Sequence, residues 1–299
     1  MLASMDIALI VNPFASAVSE ERVRVVEEEL SRAGTVRTVL TERAGHAVDL
    51  AAAAPEEAVV VYSGDGGFNE VLNGVRDGAL VGFLPGGGTN VLPRALGLPR
   101  DATAAARQVA DALEQGRTRT ISLGRVNGRR FSFAAGVGLD AELIRSVDAL
   151  GRRADGKRPG DFAFVAAAMR LLLDRRAHFE PALEIRGHGR AAFALVAKTD
   201  PYSFVGTLPL HVAPEARFEL GLDVVAPKRV TPSTIPRLLR YIFTGRGQRE
   251  AGDVVYAHDL DRLEIVCDRP LALQADGEDL GDVDLAVFEA ERSAARVLI

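Results

Sequence analysis

The 299-residue chain is 47% hydrophobic and 26% charged, an ordinary balance for a globular protein with one large or two moderate cores. Its net charge of −5 argues against a general nucleic-acid binder, and a lone cysteine, Cys267, excludes a disulfide framework or a cysteine zinc site. His46, His178, His188, His211 and His258 are scattered without metal-ligand spacing and read as surface or satisfied core residues. The N-terminal "MLASMDIALIVNPF" lacks the basic region of a secretion signal, so the expected address is cytoplasmic. The most apolar stretch, "FAFVAAAMRLLL" (162–173), is broken by Arg170 and is short of the ~20 residues of a membrane span. Any membrane contact is therefore expected to be peripheral, on the inner face.

The first third alternates strand-like and helix-like segments. "DIALIVN" (6–12) reads as a buried strand, and "SEERVRVVEEELSRAG" (19–34) as a helix capped by Ser19 and stopped by Gly34. "TVRTVLT" is a second strand, "GHAVDLAAAA" a short helix and "EAVVVYS" (57–63) a third strand. A glycine loop follows, then a helix from about Gly67 to Val75, a fourth strand "ALVGFLP", the segment "GGGTNVLPRALGLP" and a helix from Asp101 to about Gln115. This alternation predicts a parallel α/β sheet, Rossmann-like in its layering.

Near residue 120 the pattern changes. "TRTISLGRVNGRRFSFAAGVG" (118–138) contains a hairpin signal in Asn127-Gly128, and helical stretches follow at 139–150 and 160–176. The strand-like runs "ALEIRG", "RAAFALVAK", "RFELGLDVVAP", "RLEIVCD", "LALQADG" and "DLAVFEA" predict a second domain built on an antiparallel sandwich or barrel. Between them, "RLLRYIFTGRG" (237–247) reads as a helix with Leu238, Leu239, Ile242 and Phe243 apolar and Arg237 and Arg240 basic. Such a helix suits an anionic lipid surface, although packing on its own domain is the plainer reading. The basic "GRRADGKRPGD" (151–161) reads as a solvated loop that could touch lipid headgroups.

Two glycine-rich segments carry the chemistry: "SGDGGFNE" after "VVVY" and "PGGGTN" after "VGFL". In an open α/β sheet, ligands bind beyond the carboxyl ends of the strands, and glycine lets a phosphate approach main-chain amides at a helix start. Asp65, set among those amides, suits Mg²⁺ better than phosphate. One such loop is equally well a capped turn; two after adjacent strands favour phosphate. Neither fits G-x-x-x-x-G-K-[ST] or G-x-G-x-x-G with a downstream acid. "ADGED" sets Asp276, Glu278 and Asp279 around a glycine at a strand end, which alone would be an ordinary acidic turn. Asp276 and Glu278 share a face only if the strand runs straight through Gly277.

The ordered set "VNPFAS", "TERAGHA", "SGDGGFNEVLNG", "LPGGGTNVLPRALGLP", "AAGVGLDAEL" and "QADGEDL" resembles the diacylglycerol kinase and sphingosine kinase superfamily, most closely its bacterial lipid-kinase branch, from about residue 6 to 290. The resemblance implies an α/β ATP-binding domain at 1–120 and a β-rich lipid-substrate domain at 121–299, with the last strand a candidate to return to the first. It implies ATP and Mg as cofactors. Asn12 and Thr41 would border the nucleotide, while Ser63, Gly64, Asp65, Gly66, Gly67, Phe68 and Asn69 wrap its phosphates and Gly86, Gly87, Gly88 and Thr89 form the opposite rim. Asp65 would hold the metal, Glu278 would be the general base, and Asp276 would stand beside it on the metal and water network.

The chain also departs from the family pattern. The family loop usually reads G-G-D-G-T, whereas here Ser63 stands for the first glycine and Gly67 for the threonine; Val91 stands where an Asp is common. "FELGLD" carries Leu220 where some bacterial relatives have a metal-binding Asp, so that further site is not expected. The implied function is phosphoryl transfer from ATP to a lipid hydroxyl, diacylglycerol-like or sphingoid-like, in phospholipid metabolism. The rivals are an NAD kinase-like enzyme and a degenerate, non-catalytic nucleotide- or lipid-binding protein. The expected partner is a lipid alcohol, with a membrane surface and a homodimer left open.

Overall fold

The computed structural model describes residues 5–151 and 161–299, so most of "GRRADGKRPGD" lies outside the described residues. The chain divides into two compact units, one of Met1–Ser122 with Ser293–Ile299 and one of Leu123–Arg292. The α/β part and the antiparallel β-rich part expected from the pattern are both present.

In the first unit β1 (Met5–Val11), α1 (Glu20–Leu30), β2 (Gly34–Leu40), α2 (His46–Ala53), β3 (Ala58–Ser63), α3 (Asp65–Gly74), β4 (Leu80–Pro85), α4 (Val91–Ala95) and α5 (Ala102–Gln115) follow in turn. The strands run parallel in the order β2-β1-β3-β4. Every residue of β3 is buried, as expected of a central parallel strand covered on both faces. Ile7, Leu9, Val60 and Tyr62 meet Val26 and Leu30 of α1 and Ala105 and Val109 of α5 in one core. Side-chain caps open α1 and α5: the Ser19 hydroxyl accepts from the Arg22 amide at 3.3 Å, and Asp101 from Ala104 at 2.9 Å.

Two helix boundaries differ from the expected ones. α1 stops at Leu30, where the Ser31 amide bonds the Glu27 carbonyl at 2.9 Å. Gly34 is instead the first residue of β2, where a Cβ would lie 1.9 Å from the Met5 carbonyl oxygen. α3 starts at Asp65, two residues early, so the "glycine loop" is mostly the first turn of a helix.

The second unit is entered through β5 (Thr118–Val126). Then come β6 (Arg129–Phe131), β7 (Ala134–Val137), α6 (Leu139–Asp148), α7 (Asp161–Asp174), β8 (Leu183–Ile185), β9 (Gly189–Ala191), β10 (Ala194–Ala197), β11 (Ser203–Val205) and β12 (Leu208–Leu210). β13 (Leu222–Pro227), α8 (Ile235–Thr244), β14 (Val254–Leu260), β15 (Arg262–Ala275) and β16 (Glu278–Leu298) complete it. The main path is β14-β13-β10-β7-β15-β16, paired antiparallel. β5 and β6 close through Asn127 and Gly128, with φ of 46° and 90°, as a two-residue hairpin with both central residues left-handed requires. The last residues of β16, from Ser293 on, belong to the first unit and pair there with β4, Arg296 opposite Leu80.

Here too the strand reading needed correction. "RAAFALVAK" breaks into β9 and β10 because the chain changes partners, from β8 to β7 and β13, across Ala192 and Phe193. "RLEIVCD" and "LALQADG" form the single strand β15, while "RFELGLDVVAP" pairs only from Leu222. The turn before Leu222 is held by side chains. Lys198, wholly buried, donates its Nζ to the carbonyls of Leu220 (2.6 Å) and Gly221 (2.9 Å), and Asp259 accepts from the Gly221 amide at 2.7 Å. Among the described residues no helix is long and apolar enough to cross a membrane.

Burial lowers the Lys198 pKa to about 8 from an ordinary 10.5, against the opposing pull of Asp223. Between those values the unfolded chain holds a proton that the folded chain has released, so this group adds stability as pH rises and the contribution disappears as pH falls through 8. Denaturant titrations of wild type and Lys198→Met should therefore show a stability gap that shifts in favour of wild type from pH 8 to 10.5. A pH-independent gap would refute the assignment.

Candidate functional site

Because β1 to β4 are parallel and paired residue for residue, their carboxyl ends reach one edge: Val11 lies opposite Leu40 and Tyr62, and Ser63 opposite Pro85. The candidate residues of the first unit continue from those ends and are tied together. The Asn12 amide bonds the Tyr62 carbonyl at 3.0 Å, Thr41 bonds Val11 at 2.8 Å, and Gly86 bonds Ser63 at 2.6 Å. Asn12 also turns its Oδ1 onto the Phe14 amide at 3.0 Å.

The two glycine segments touch backbone to backbone. A Cβ on Gly87 would fall 2.7 Å from the Gly64 Cα, and one on Gly64 would fall 3.2 Å from the Gly87 Cα. Gly86 is equally confined, with the Ser63 carbonyl oxygen 3.0 Å from its missing Cβ, whereas Gly88 faces open space and has no such need. Asn90, in the left-handed region, closes the second turn. Its Oδ1 accepts from the Gly87 amide and its Nδ2 donates to the Gly87 carbonyl, both at 2.8 Å.

α3 opens on this contact. Gly64 is its N-cap and brings no side chain to satisfy the first-turn amides, which have no partner within a helix. Asp65 accepts from the Leu92 amide at 3.3 Å, linking the two segments from the side-chain direction. The fully buried Asn69 accepts from the Asn73 amide group at 2.9 and 3.1 Å. Glu70 binds the Gly45 and Ala47 amides at 2.9 and 3.1 Å, fixing the "TERAGHA" turn that follows Thr41. The bracing roles of Glu70 and Asn90 were not read from sequence, although both sit inside the quoted motifs.

The departures at positions 63 and 67 have one cause. A Cβ on Gly67 would lie 2.1 Å from the Ser63 Oγ and 2.6 Å from its Cβ, so the serine side chain fills the space a residue at 67 would need. The Ser63 hydroxyl is buried and without a hydrogen-bond partner among the described residues.

The second unit contains Asp276 and Glu278. Asp276 and Gly277 form the two-residue turn between β15 and β16, with φ of 48° and 80°, so the chain does not run straight through. The buried Asp276 carboxylate accepts from the Ser132 amide (2.7 Å), the Ser132 hydroxyl (2.8 Å), the Phe133 amide (3.0 Å) and the Ala134 amide (3.2 Å). Four donors on one carboxylate make it the anchor of the turn. Asp279 is held by both guanidinium arms of Arg145, at 2.7 and 2.9 Å, which keep its carboxyl below the ordinary range. Glu278 is partly exposed and ion-paired with Arg129.

Beneath the turn lies a polar cluster that sequence reading missed. Asp140, from "AAGVGLDAEL", accepts from the Tyr202 hydroxyl (2.8 Å) and from Gln274 (2.5 Å), and burial pushes its carboxyl pKa up. Gln274 in turn accepts from the Gly277 amide at 3.0 Å. Among the described residues no three His, Cys, Asp or Glu side chains gather as a metal cage.

Residues 6–126 match the family model described as diacylglycerol kinase catalytic domain, and residues 134–299 match that of the YegS C-terminal NAD kinase beta sandwich-like domain. The chain belongs to the diacylglycerol kinase family. The resemblance read from the motifs is thus confirmed at the level of family. A diacylglycerol kinase of Bacillus subtilis is 33% identical over 147 residues, 46% of this chain and 48% of the relative, so the match spans about half the length of that curated relative. The crystal structure of a Bacillus anthracis diacylglycerol kinase superimposes with a TM-score of 0.72 at 17% identity, covering 100% of this chain and 98% of the other. An NAD kinase from Archaeoglobus fulgidus, solved in complex with ATP, gives 0.54 at 12% identity over 98% and 93% of the two chains. At these identities the structural likeness shows a shared fold and nothing further.

Two substitutions test the geometry. Gly67→Thr alone should lower stability by about 1–3 kcal/mol through overpacking, and adding Ser63→Gly should restore most of it; strictly additive effects in a double-mutant cycle would show that the two positions are independent. Asp276→Ala strips four donors of their buried acceptor and should cost about 3 kcal/mol or more in thermal unfolding. A loss under about 0.5 kcal/mol, the usual effect of a surface change, would contradict the anchoring role.

Proposed function

We propose that this chain is an ATP- and magnesium-dependent lipid kinase that transfers the γ-phosphate to the hydroxyl of a lipid alcohol. The observation that carries the reading is the contact of Gly64 with Gly87. Two main-chain turns meet without side chains at the carboxyl edge of a parallel sheet, beside the uncapped first turn of α3. Amides of Gly66 and Gly67 on one side and of Gly88 and Thr89 on the other suit a polyphosphate, while the Gly87 amide is spent on Asn90. Gly88, which the fold does not require to be glycine, leaves room for it. Asn12 and Thr41 border the nucleotide.

Asp65 suits Mg²⁺. A single carboxylate among amides is too little for an all-protein cage, but Mg²⁺ commonly takes most of its ligands from water and phosphate. When bound, the ion neutralises charge building on the transferred phosphoryl group. The protein's own part is mostly positioning. Glu278 accepts the acceptor hydroxyl's proton as the bond to phosphorus forms, its carboxylate oriented by Arg129. Asp276 is a positioning residue that holds the turn rather than a group facing substrate.

A lipid acceptor is supported by an apolar cavity in the second unit, about 160 Å³ in volume and lined by Leu139, Leu172, Phe193, Leu195, Val225 and Leu238 among others. An open pocket walled mainly by aliphatic and aromatic carbon, with His211 and Gln248 among its other lining residues, suits a hydrocarbon chain. The NAD kinase-like reading draws on the shared fold, but a dinucleotide has no aliphatic chain to place there. A degenerate binding protein would have no use for Glu278 held by Arg129.

The deciding assay supplies ATP and Mg²⁺ with a panel of diacylglycerols, sphingoid bases and NAD, and measures phosphorylated product. Product should form from a lipid alcohol, and Glu278→Gln should lower turnover by at least about 100-fold with nucleotide affinity retained. Turnover with NAD alone would falsify the lipid-kinase reading, and unchanged turnover in Glu278→Gln would remove that residue from the role of base.

A further inference from the structure

We propose that Lys198 is a built-in cation whose ammonium group takes the place of a structural metal ion at the turn before β13. Lys198 directly follows β10, and its amide bonds the Phe133 carbonyl at 2.9 Å, which fixes where the side chain starts. That side chain is wholly buried, and its Nζ meets the carbonyl oxygens of Leu220 at 2.6 Å and Gly221 at 2.9 Å. Two successive carbonyls turned onto one point present partial negative charge to it, and main-chain carbonyls are common ligands of hard metal ions. An ammonium is a compact cation with three N–H donors, so it serves both oxygens at once.

The surroundings hold the turn in place and favour positive charge. Gly221 is pressed against Leu260, whose carbonyl oxygen would lie 2.5 Å from a Cβ at position 221. Asp259, in the left-handed region, accepts from the Gly221 amide at 2.7 Å and from Arg292 at 2.8 Å. The wholly buried Asp223 is bonded by His258 Nδ1 at 2.9 Å and by the Asp259 amide at 3.1 Å. Burial and Arg292 oppose a charge on Lys198, while Asp223, Asp259 and Glu219 favour it.

A metal ion does not fit the same turn. Leu220 stands where some bacterial relatives have a metal-binding Asp, and the point that both carbonyls face is taken by Nζ. Among the described residues no three His, Cys, Asp or Glu side chains gather to supply other ligands. An ammonium and a divalent ion would repel each other strongly across two shared carbonyls in a buried setting. The second unit thus carries its own cation, and any magnesium requirement of the chain belongs to nucleotide binding in the first unit. The inference does not depend on the lipid-kinase reading, and its test needs no turnover.

The experiment measures melting temperature and bound metal in the full chain without nucleotide, at neutral pH. Wild type should melt within about 1 °C in millimolar Mg²⁺, Ca²⁺ or EDTA, because no metal is coupled to its folding. Lys198→Met keeps the stem but removes the donors, and should melt at least about 5 °C lower. Lys198→Ala should regain at least about half of its loss with n-propylammonium, the fragment removed, and nothing with tetramethylammonium, which is charged but has no N–H. A metal ion retained by the wild type, whose removal lowers the melting temperature, would overturn the proposal. So would Lys198→Met melting like wild type, or rescue of Lys198→Ala that is absent or equal with the two ammonium ions. If Lys198→Ala does not fold, the wild-type metal measurement and Lys198→Met decide.

Discussion

The first unit depends on a close approach of two backbones. β3 and β4 are paired in parallel register up to Ser63 and Pro85, so the chain leaves both strands at the same height. Neighbouring strands lie only about 4.8 Å apart. At that separation Gly64 and Gly87 can pass each other as main chain, but neither could carry a Cβ without shifting the other. The consequence is chemical as well as steric: where these two turns meet, the edge of the sheet is main chain without side chains. Asn90 keeps the second turn folded, Glu70 keeps the neighbouring "TERAGHA" turn folded, and Asp65 is the carboxylate set between the two glycine segments.

In the second unit the acids of "ADGED" acquire three different characters from their surroundings. Asp276 is saturated by four donors, and Asp279 is gripped by Arg145. Glu278 is left partly exposed beside Arg129. The turn that separates them is braced from below by Gln274, which is itself tied to Asp140 and Tyr202. Of the three acids, Glu278 is the one both ion-paired and still partly exposed, which is why the proposed role of base is given to it.

Much of this was legible in the sequence where the cause is local. Ser19 and Asp101 cap helices because a short polar side chain reaches an amide three residues on. Asn127-Gly128 makes a hairpin because both residues tolerate positive φ. The ordered motifs carried the family. What misled was also local: Gly34 looked like a helix stop and the glycines after Ser63 looked like loop, since glycine marks a place where a side chain is unwelcome without saying what excludes it. In both cases the excluding atoms belong to another part of the chain or to a neighbouring turn, the Met5 carbonyl for Gly34 and the Ser63 hydroxyl for Gly67.

The sequence by itself determined the alternation of strands and helices, the change to antiparallel pairing near residue 120, and the two glycine segments with Asp65, because periodicity, capping and backbone permissiveness act within a few residues. Only the tertiary structure decided that Ser63 and Gly67 share one space, that Asp276 anchors Ser132 to Ala134, and that Lys198 is buried against Leu220 and Gly221. The last two contacts join residues far apart in the chain, and the first depends on how a helix leaves its strand. Such contacts follow from strand register and helix exit angle, which are summed over the whole fold and leave no mark at the positions that meet.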